Sequence, residues 1–187
     1  PFSFSEFLKV RKVRVDSSLL SSEEKTEIII ILKEYLEMGG FPEVVLENNT
    51  ETKLKILESY FELIVYKDLM ERHKIKDSLL LKWLLRSIFT CYTKELSIHK
   101  IYQTLKSQGR KVSKNDLYSY SSFIGDSLSV FYLPKFSWSV RKREAVSKVY
   151  LGDGGYINLV ESGQEKGKRM ENLVFLELER RKKALTQ

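Results

Sequence analysis

Residues 97–127 read SIHKIYQTLKSQGRKVSKNDLYSYSSFIGDS, and they contain the pattern that decides the fold. Ser97 is a typical helix-capping residue, and Gly109 is typical of the position just after a helix. Ser113 is a second capping serine, because the stretch that follows it again has helical spacing. The sequence therefore predicts two helices joined by the short turn GRKVS, which is a helix-turn-helix arrangement.

The segments on either side extend this arrangement. Upstream, Ser78 precedes the apolar stretch LLLKWLLRSIFTCY, which predicts one more helix. Downstream, the extended segments 129–140 and 146–153 are separated by the basic turn RKREA, which predicts a β-hairpin. Three helices followed by a basic hairpin are the order of a winged helix-turn-helix. In that fold the third helix is presented to the major groove of DNA.

The N-terminal part of the chain predicts further helices. Ser5 is the expected cap in FSEFL, and Ser22 is the expected cap of SSEEKTEIIIILKEYLEMGG, which the glycine pair at 39–40 ends. FPEVV is expected to be a short connector because Pro42 prevents helix continuation. The apolar spacing from Thr52 to His73 predicts one long helix.

The C-terminal stretch KGKRMENLVFLELERRKKALTQ predicts an amphipathic helix. Glu171, Val174, Phe175 and Leu178 follow one another at helical spacing, so their side chains are expected to share one face. Glu171 has two interpretations: a carboxylate favoured by the helix dipole, or a metal-binding carboxylate. We expect the apolar residues between 173 and 178 to be covered by the winged helix or by a second copy of the chain.

Charge is distributed unevenly along the sequence. The 187 residues have a formal net charge of +7. Residues 94–148 hold eleven Lys and Arg against four acidic residues, so the whole excess lies in this middle segment. A basic segment of domain size is expected of a nucleic-acid binder, because each neutralised phosphate releases counterions. A solvated basic face without a ligand is the alternative.

Eight residues of the middle segment are the predicted contacts to double-stranded DNA. Some flank or begin the third helix, where the helix N-terminus favours phosphate and side chains reach base edges. The others form the tip of the hairpin. They are Arg110, Lys111, Lys114, Asn115 and Tyr118 at the helix, and Arg141, Lys142 and Arg143 at the tip. The competing hypothesis is a protein-docking module that uses the same basic face without nucleic acid.

Composition disfavours several other kinds of site. No apolar run approaches the roughly twenty residues that cross a membrane. Cys91 is the only cysteine, which excludes an internal disulfide and indicates a cytoplasmic protein. His73 and His99 have no neighbouring ligands at zinc spacing. The glycine-rich GDGGY lacks the lysine of a phosphate-binding loop. Asp153 within it is either a turn residue or a site carboxylate.

Six blocks of the sequence resemble bacterial and archaeal ATPases of the AAA+ superfamily that carry a C-terminal winged helix followed by a restriction-endonuclease-like segment. These blocks are PFSFSEFL, GGFPEVV, YFELIVYKDLMERHKI, GRKVSKNDLYSY, KVYLGDGGYINLV and GKRMENLVFLELERR. The resemblance implies a longer protein whose ATPase core precedes Pro1, binds ATP and Mg²⁺, and forms a homo-oligomer. It also implies that Glu171 matches the helix carboxylate of a nuclease-like metal site, with the partner residues following Gln187. The chain alone is then expected to have no cofactor and no ATPase or nuclease activity.

These patterns together predict a mainly α-helical chain with a small β-hairpin. The expected domains are a helical region at 1–77, a winged-helix domain at 78–160, and at 161–187 the first helix of an incomplete nuclease-like domain.

Overall fold

The structure is a computed structural model with four described stretches of backbone. They are residues 1–13, 20–135, 146–160 and 165–185, with side chains described as far as residue 182. In chain order, the elements of these stretches are α1 Phe4–Val10, α2 Ser22–Met38, α3 Pro42–Leu46, α4 Thr50–Leu63, a π-helix Ile64–Glu71, α5 Ser78–Thr90, β1 Glu95–Leu96, α6 Ile98–Ser107, α7 Lys114–Asp126, β2 Val130–Pro134, β3 Ser147–Leu151, a 3₁₀ helix Gly154–Leu159 and α8 Lys166–Leu185.

The chain divides into two compact units. Unit 1 is formed by Pro1–Glu58 together with Asp153–Gln187, and unit 2 is formed by Ser59–Gly152. The three domains expected from the sequence divide the chain at other residues and stay a prediction.

Serines begin both long helices of unit 1, but they are not the predicted ones. Ser3 caps α1 and Ser21 caps α2, each accepting a hydrogen bond of 3.2 Å from the backbone N–H three residues on. The carboxylate of the glutamate at that third position accepts a 2.7 Å hydrogen bond from the backbone N–H of its capping serine. The predicted caps Ser5 and Ser22 lie inside the helices. The glutamate three residues on decides the helix start, because only one serine in each group can complete this capping box.

The caps of unit 2 are closer to the prediction. Ser97 caps α6 and Ser113 caps α7, as predicted. The cap of α5 is Asp77, whose carboxylate accepts the Leu80 N–H at 2.9 Å. The predicted cap, Ser78, is the first residue of that helix.

Helix α2 ends before Pro42, as expected, but Pro42 begins a short helix where we expected a connector. It occupies the first turn of α3, where the missing N–H has no intrahelical partner to lose. Gly39 ends α2 with a φ of 78°, as the glycine pair predicts. The predicted helix from Thr52 to His73 is helical throughout, although its backbone becomes π-helical at Ile64–Glu71.

Helix α8 does not bury the face that the sequence predicts. Asn172 and Leu176 are buried, while Val174 and Leu178 are 50% and 60% exposed. Leu173 packs against the core of unit 1, which consists of Phe7, Leu8, Ile31, Tyr35 and Val45. Helix α8 has apolar residues on two sides. It buries the side with Leu173 and Leu176 and leaves the side with Val174 and Leu178 largely exposed.

Helix α8 packs against α2 and against the 3₁₀ helix Gly154–Leu159 of the same unit. The 3₁₀ helix falls within 78–160, the range predicted for the winged helix, so the expected cover is found in part. The contact with α2 was not expected.

Unit 2 contains a three-stranded antiparallel sheet in the order β1-β3-β2. Strands β2 and β3 pair from Val130↔Leu151 to Pro134↔Ser147, which confirms the predicted antiparallel pairing of the two segments; residues 136–140 of the first segment lie outside the described residues. The short strand β1 pairs with the other edge of β3. Pro134 ends an edge strand, where its missing N–H leaves no ladder bond unmade. The turn at 141–145 lies outside the described residues.

The core of unit 2 is built from helices packed on this sheet. Phe61 and Phe89 meet edge to face with ring centroids 5.8 Å apart. Leu105 of α6, Leu117 of α7 and Val149 of β3 are fully buried. The protein is thus mainly helical with a small sheet, as predicted. Among the described residues, every helix is too short or too polar to cross a bilayer.

Candidate nucleic-acid interface

The turn between α6 and α7 has a defined geometry. The Gly109 N–H donates to the Lys106 carbonyl at 3.0 Å, and the Arg110 N–H donates to the Leu105 carbonyl at 3.1 Å. Gly109 has a φ of 75°. These two bonds around a left-handed glycine form a Schellman motif, which ends α6 and redirects the chain. Ser113 then begins α7 by accepting the Asp116 N–H at 3.4 Å.

Helix α7 is anchored in unit 2 along one face. Leu117 and Ile124 are fully buried. The Ser121 hydroxyl donates to the Tyr132 hydroxyl of β2 at 3.1 Å, and burial raises the pKa of Tyr132 to about 12. Phe123 stacks on the His73 ring at 3.7 Å between centroids. These contacts fix the rotation of α7, and therefore fix which side chains point outward.

The opposite face of α7 carries small polar side chains. Asn115, Ser119 and Ser122 are exposed and lie within about 60° of one another around the helix axis, at 100° per residue. Asn115 was a predicted contact. The two serines were missed, because a serine inside a helix gives no sequence signal beyond being on the face opposite the apolar residues.

Three exposed cations lie at the N-terminal end of α7. They are Arg110 and Lys111 in the turn and Lys114 at the first helical position. Within the described residues, no carboxylate lies within salt-bridge distance of any of them. The Lys114 ammonium lies 5.8 Å from the centre of the Tyr118 ring, and Tyr118 is 44% exposed. All five predicted helix contacts therefore lie on the surface around one end of α7.

The predicted contacts at the hairpin tip, Arg141, Lys142 and Arg143, lie outside the described residues. Directly after the last paired residue of β2, Lys135 is 3.5 Å from the Glu95 carboxylate. The Lys148 ammonium lies 6.0 Å from the centre of the Tyr150 ring. These two cations of the basic segment are already engaged within unit 2.

The predicted metal ligand, Glu171, lies half-buried on α8. Within the described stretches, no three His, Cys, Asp or Glu side chains come together in a way that would hold a metal ion. Of the two histidines, His99 is exposed and within 3.5 Å of Gln103, and His73 stacks on Phe123. The Cys91 thiol is partly buried, and burial raises its pKa. The metal role of Glu171 stays a prediction.

Asp153 was left open between a turn residue and a site carboxylate, and it is a buried turn residue. One carboxylate oxygen accepts the Gly155 N–H at 2.7 Å, and the other accepts the Gly40 N–H at 2.8 Å. Burial raises its pKa to about 6, against the two backbone N–H donors, which lower it. The carboxylate thus ties the 3₁₀ helix to the glycine pair that follows α2.

A second polar group, unforeseen from the sequence, lies beside this contact. Arg169 of α8 is buried and donates to the carbonyls of Leu36 and Glu37 at 3.0 and 3.1 Å, as well as to the Asn158 side chain at 2.9 Å. Asn158 donates to the same Glu37 carbonyl at 2.7 Å. These donors satisfy the last carbonyls of α2, which have no intrahelical partner. We therefore interpret this polar cluster as structural.

The protein is of the mainly helical class with a small antiparallel sheet, and it carries an exposed basic turn between α6 and α7. Comparison with known proteins shows its family. The chain belongs to the family of a domain of unknown function, DUF8612, whose model matches residues 30–166. The uncharacterized protein MJ1544 of Methanocaldococcus jannaschii is 36% identical over 97% of this chain and 41% of its own length.

An uncharacterized protein of Haemophilus influenzae is 28% identical over 97% of this chain and 44% of its own length. The chain thus spans less than half the length of these relatives. No solved structure matches it.

Proposed function

We propose that unit 2 is a winged helix-turn-helix module that binds duplex DNA, with α7 as the helix that enters the major groove. The order of elements supports this proposal. Helices α5, α6 and α7 are followed by the hairpin of β2 and β3, and β1 completes a sheet of order β1-β3-β2. A helix with one anchored face and one exposed polar face at the end of a short turn is suited to groove binding.

The observation that carries the proposal is the uneven charge along α7. The N-terminal end has Arg110, Lys111 and Lys114 against one exposed carboxylate, Asp116, whereas the last residue of the helix is the exposed Asp126. The helix dipole adds a partial positive charge to the same N-terminal end. An anionic ligand would therefore approach the N-terminal half of α7, where the predicted contact residues lie.

Phosphate contacts supply most of the expected affinity. Each Lys or Arg that neutralises a phosphate releases counterions, and the release lowers the affinity as salt rises with a log–log slope of about 0.9 per contact. Arg110, Lys111 and Lys114 can each make one such contact without first breaking an ion pair with a described residue.

The test is a double charge reversal, Lys111→Glu with Lys114→Glu. The variant should bind duplex DNA more weakly, with the salt slope reduced by about 2 because two phosphate contacts are lost. The matched control is Lys25→Glu with Lys33→Glu on α2 of unit 1, where both lysines are exposed. The control changes the net charge equally, so equal losses from both pairs would contradict a specific role for the α7 end.

The hairpin tip gives a second test of the same module. Reversal of Arg141, Lys142 and Arg143 to Glu should also weaken duplex binding in a folded protein. Unchanged duplex affinity in both the tip variant and the α7 variant would favour the competing function. In that case the basic face docks an acidic protein partner and nucleic acid is not its ligand.

For the longer protein, we propose from the resemblance an AAA+ ATPase that uses unit 2 to engage DNA. The curated relatives are more than twice as long as the matched region, which leaves room in them for an ATPase core. That core would bind ATP and Mg²⁺ and form the homo-oligomer. The 187-residue chain should then hydrolyse no ATP and cut no plasmid with Mg²⁺, and turnover of either substrate by the pure chain would contradict this proposal.

A further inference from the structure

The polar side chains of α7 differ in whether they are already engaged. Ser113 caps the helix and Ser121 donates to Tyr132. Asn115, Ser119 and Ser122 make no side-chain hydrogen bond within the described part of the chain. They follow at positions i, i+4 and i+7, at the middle of the exposed face. These three small polar side chains therefore form one continuous row on α7.

We propose that this row, Asn115–Ser119–Ser122, reads base edges in duplex DNA, and that Asn115 selects an adenine. The inference rests on the proposed function, because it assigns the sequence preference of the same interface. An asparagine amide has one donor and one acceptor at the spacing of adenine N6 and N7, so it can form a bidentate pair with that base. The serine hydroxyls donate or accept and add contacts to neighbouring pairs.

The dimensions of the row fit a groove. Ser122 lies seven positions after Asn115, which is about 10 Å along the axis at a rise of about 1.5 Å per residue. This length corresponds to about three base-pair steps of roughly 3.4 Å. All three side chains are short, so the backbone of α7 can approach the bases closely.

Charge sets the direction in which α7 enters the groove. Asp126 lies at the C-terminal end of the same face, about 16 Å from Asn115 along the axis. Lys111 and Lys114 lie at the other end and are placed to hold the flanking phosphates. Asn115 is therefore the member of the row nearest to the phosphate-binding cations.

The experiment selects duplexes from a randomised pool with the 187-residue chain and with Asn115→Ala. We expect the unaltered chain to enrich an A·T pair at one fixed position. Asn115→Ala should lower that preference about tenfold or more, which corresponds to the loss of one bidentate pair. The same variant should retain the salt slope, since it removes no cation. The matched control is Asn48→Ala, an exposed asparagine of unit 1.

The outcomes distinguish a failure of base reading by α7 from a failure of DNA binding by unit 2. Duplex binding without a preferred base pair, or a preference that Asn115→Ala leaves unchanged, overturns the inference while the proposed function stands. No duplex binding by the unaltered chain overturns both.

A second variant, Ser119→Leu, keeps the charge but prevents close approach. It should reduce binding to the selected duplex and leave binding to random duplex within about twofold, and equal losses on both duplexes would contradict the base-reading role.

Discussion

At the scale of single residues, the contact between the glycine pair and Asp153 joins the two chain segments that form unit 1. Asp153 accepts the N–H of Gly40, which lies 113 positions away in sequence. Gly39 has a φ of 78°, and a Cβ at this position would lie 1.9 Å from the Asp153 carboxylate and 2.4 Å from the Gly155 nitrogen. Only glycine satisfies both the backbone conformation and the space.

Gly39→Ala should therefore destabilise the protein by about 2–5 kcal/mol, since it adds a strained backbone to a clash with buried atoms. Gly109→Ala is the matched control. Gly109 also has a positive φ, of 75°, but a Cβ there would meet nothing within 4 Å. Its substitution should cost only about 1–2 kcal/mol. Chemical unfolding of both variants measures the difference, and equal costs would show that the contact with Asp153 is not tight.

The Asp153 carboxyl also predicts a pH dependence of stability. Its pKa is raised from 3.8 to about 6 in the folded protein by burial. Between these values the native state binds more protons than the unfolded chain, so the stability contributed by this group falls as pH rises. The loss approaches roughly 3 kcal/mol above pH 6, at about 1.4 kcal/mol per pKa unit.

The measurement is the free energy of unfolding of the unaltered chain and of Asp153→Asn between pH 4 and pH 7. The unaltered chain should lose stability relative to the variant as pH rises through this window, because the asparagine does not titrate. A difference that stays constant, or that grows in favour of the unaltered chain, would contradict the raised pKa.

The role of Asp153 illustrates the limit of sequence reasoning at this scale. A glycine-rich GDGGY predicts a turn, and an aspartate that bonds the N–H two residues on is a local feature of such turns. The second acceptor bond, to Gly40, depends on how α2 and the 3₁₀ helix pack, so no local pattern indicates it. The buried Arg169 is similar, because its partners are the last carbonyls of a helix more than 130 residues earlier.

At the scale of elements, α8 shows how a helix with two apolar sides misleads a prediction from spacing. The row of Glu171, Val174, Phe175 and Leu178 is regular, yet two of its members are exposed. Asn172 and Leu176 occupy the buried side, where Arg169 reaches α2. A buried arginine and a buried asparagine do not appear in a hydrophobic pattern, so the pattern favoured the wrong face.

The corrected face of α8 predicts unequal costs for two leucine truncations. Leu176→Ala should destabilise the protein by about 2–4 kcal/mol, because it leaves a cavity beside α2. Leu178→Ala should change stability by no more than about 0.5 kcal/mol, because this side chain is 60% exposed. Thermal or chemical unfolding of the two variants compares them directly. A larger cost at Leu178 would restore the face predicted from the sequence.

The elements of unit 2 were more predictable, for a local reason. Helices α6 and α7 begin at capping serines, and α6 ends at a glycine with no alternative nearby, so caps and apolar spacing agree. The starts of α1 and α2 were each misplaced because two serines compete there and the glutamate that completes the capping box lies three residues on. The sheet order follows from pairing between distant strands, which spacing alone does not give.

At the scale of the whole molecule, the excess positive charge is concentrated in one segment of the sequence. Residues 94–148 carry an excess equal to the full net charge of +7, and this segment belongs to unit 2. The row Asn115–Ser119–Ser122, for which we propose base reading, is uncharged and makes no side-chain hydrogen bond with a described residue, and three cations lie at the N-terminal end of α7. Affinity from phosphates and selectivity from short polar side chains are then supplied by different residues of one helix and its preceding turn.

The most direct test of DNA binding by unit 2 is the affinity of the 187-residue chain for a short DNA duplex as salt is raised from about 50 to about 200 mM. Contacts from Arg110, Lys111 and Lys114 alone predict a log–log slope of at least about 2.7, which is a loss of roughly 40-fold over this range. Additional contacts from the hairpin tip would make the slope steeper. An affinity that does not change with salt, or the absence of duplex binding at the lowest salt, would contradict the assignment of unit 2 as a DNA-binding module.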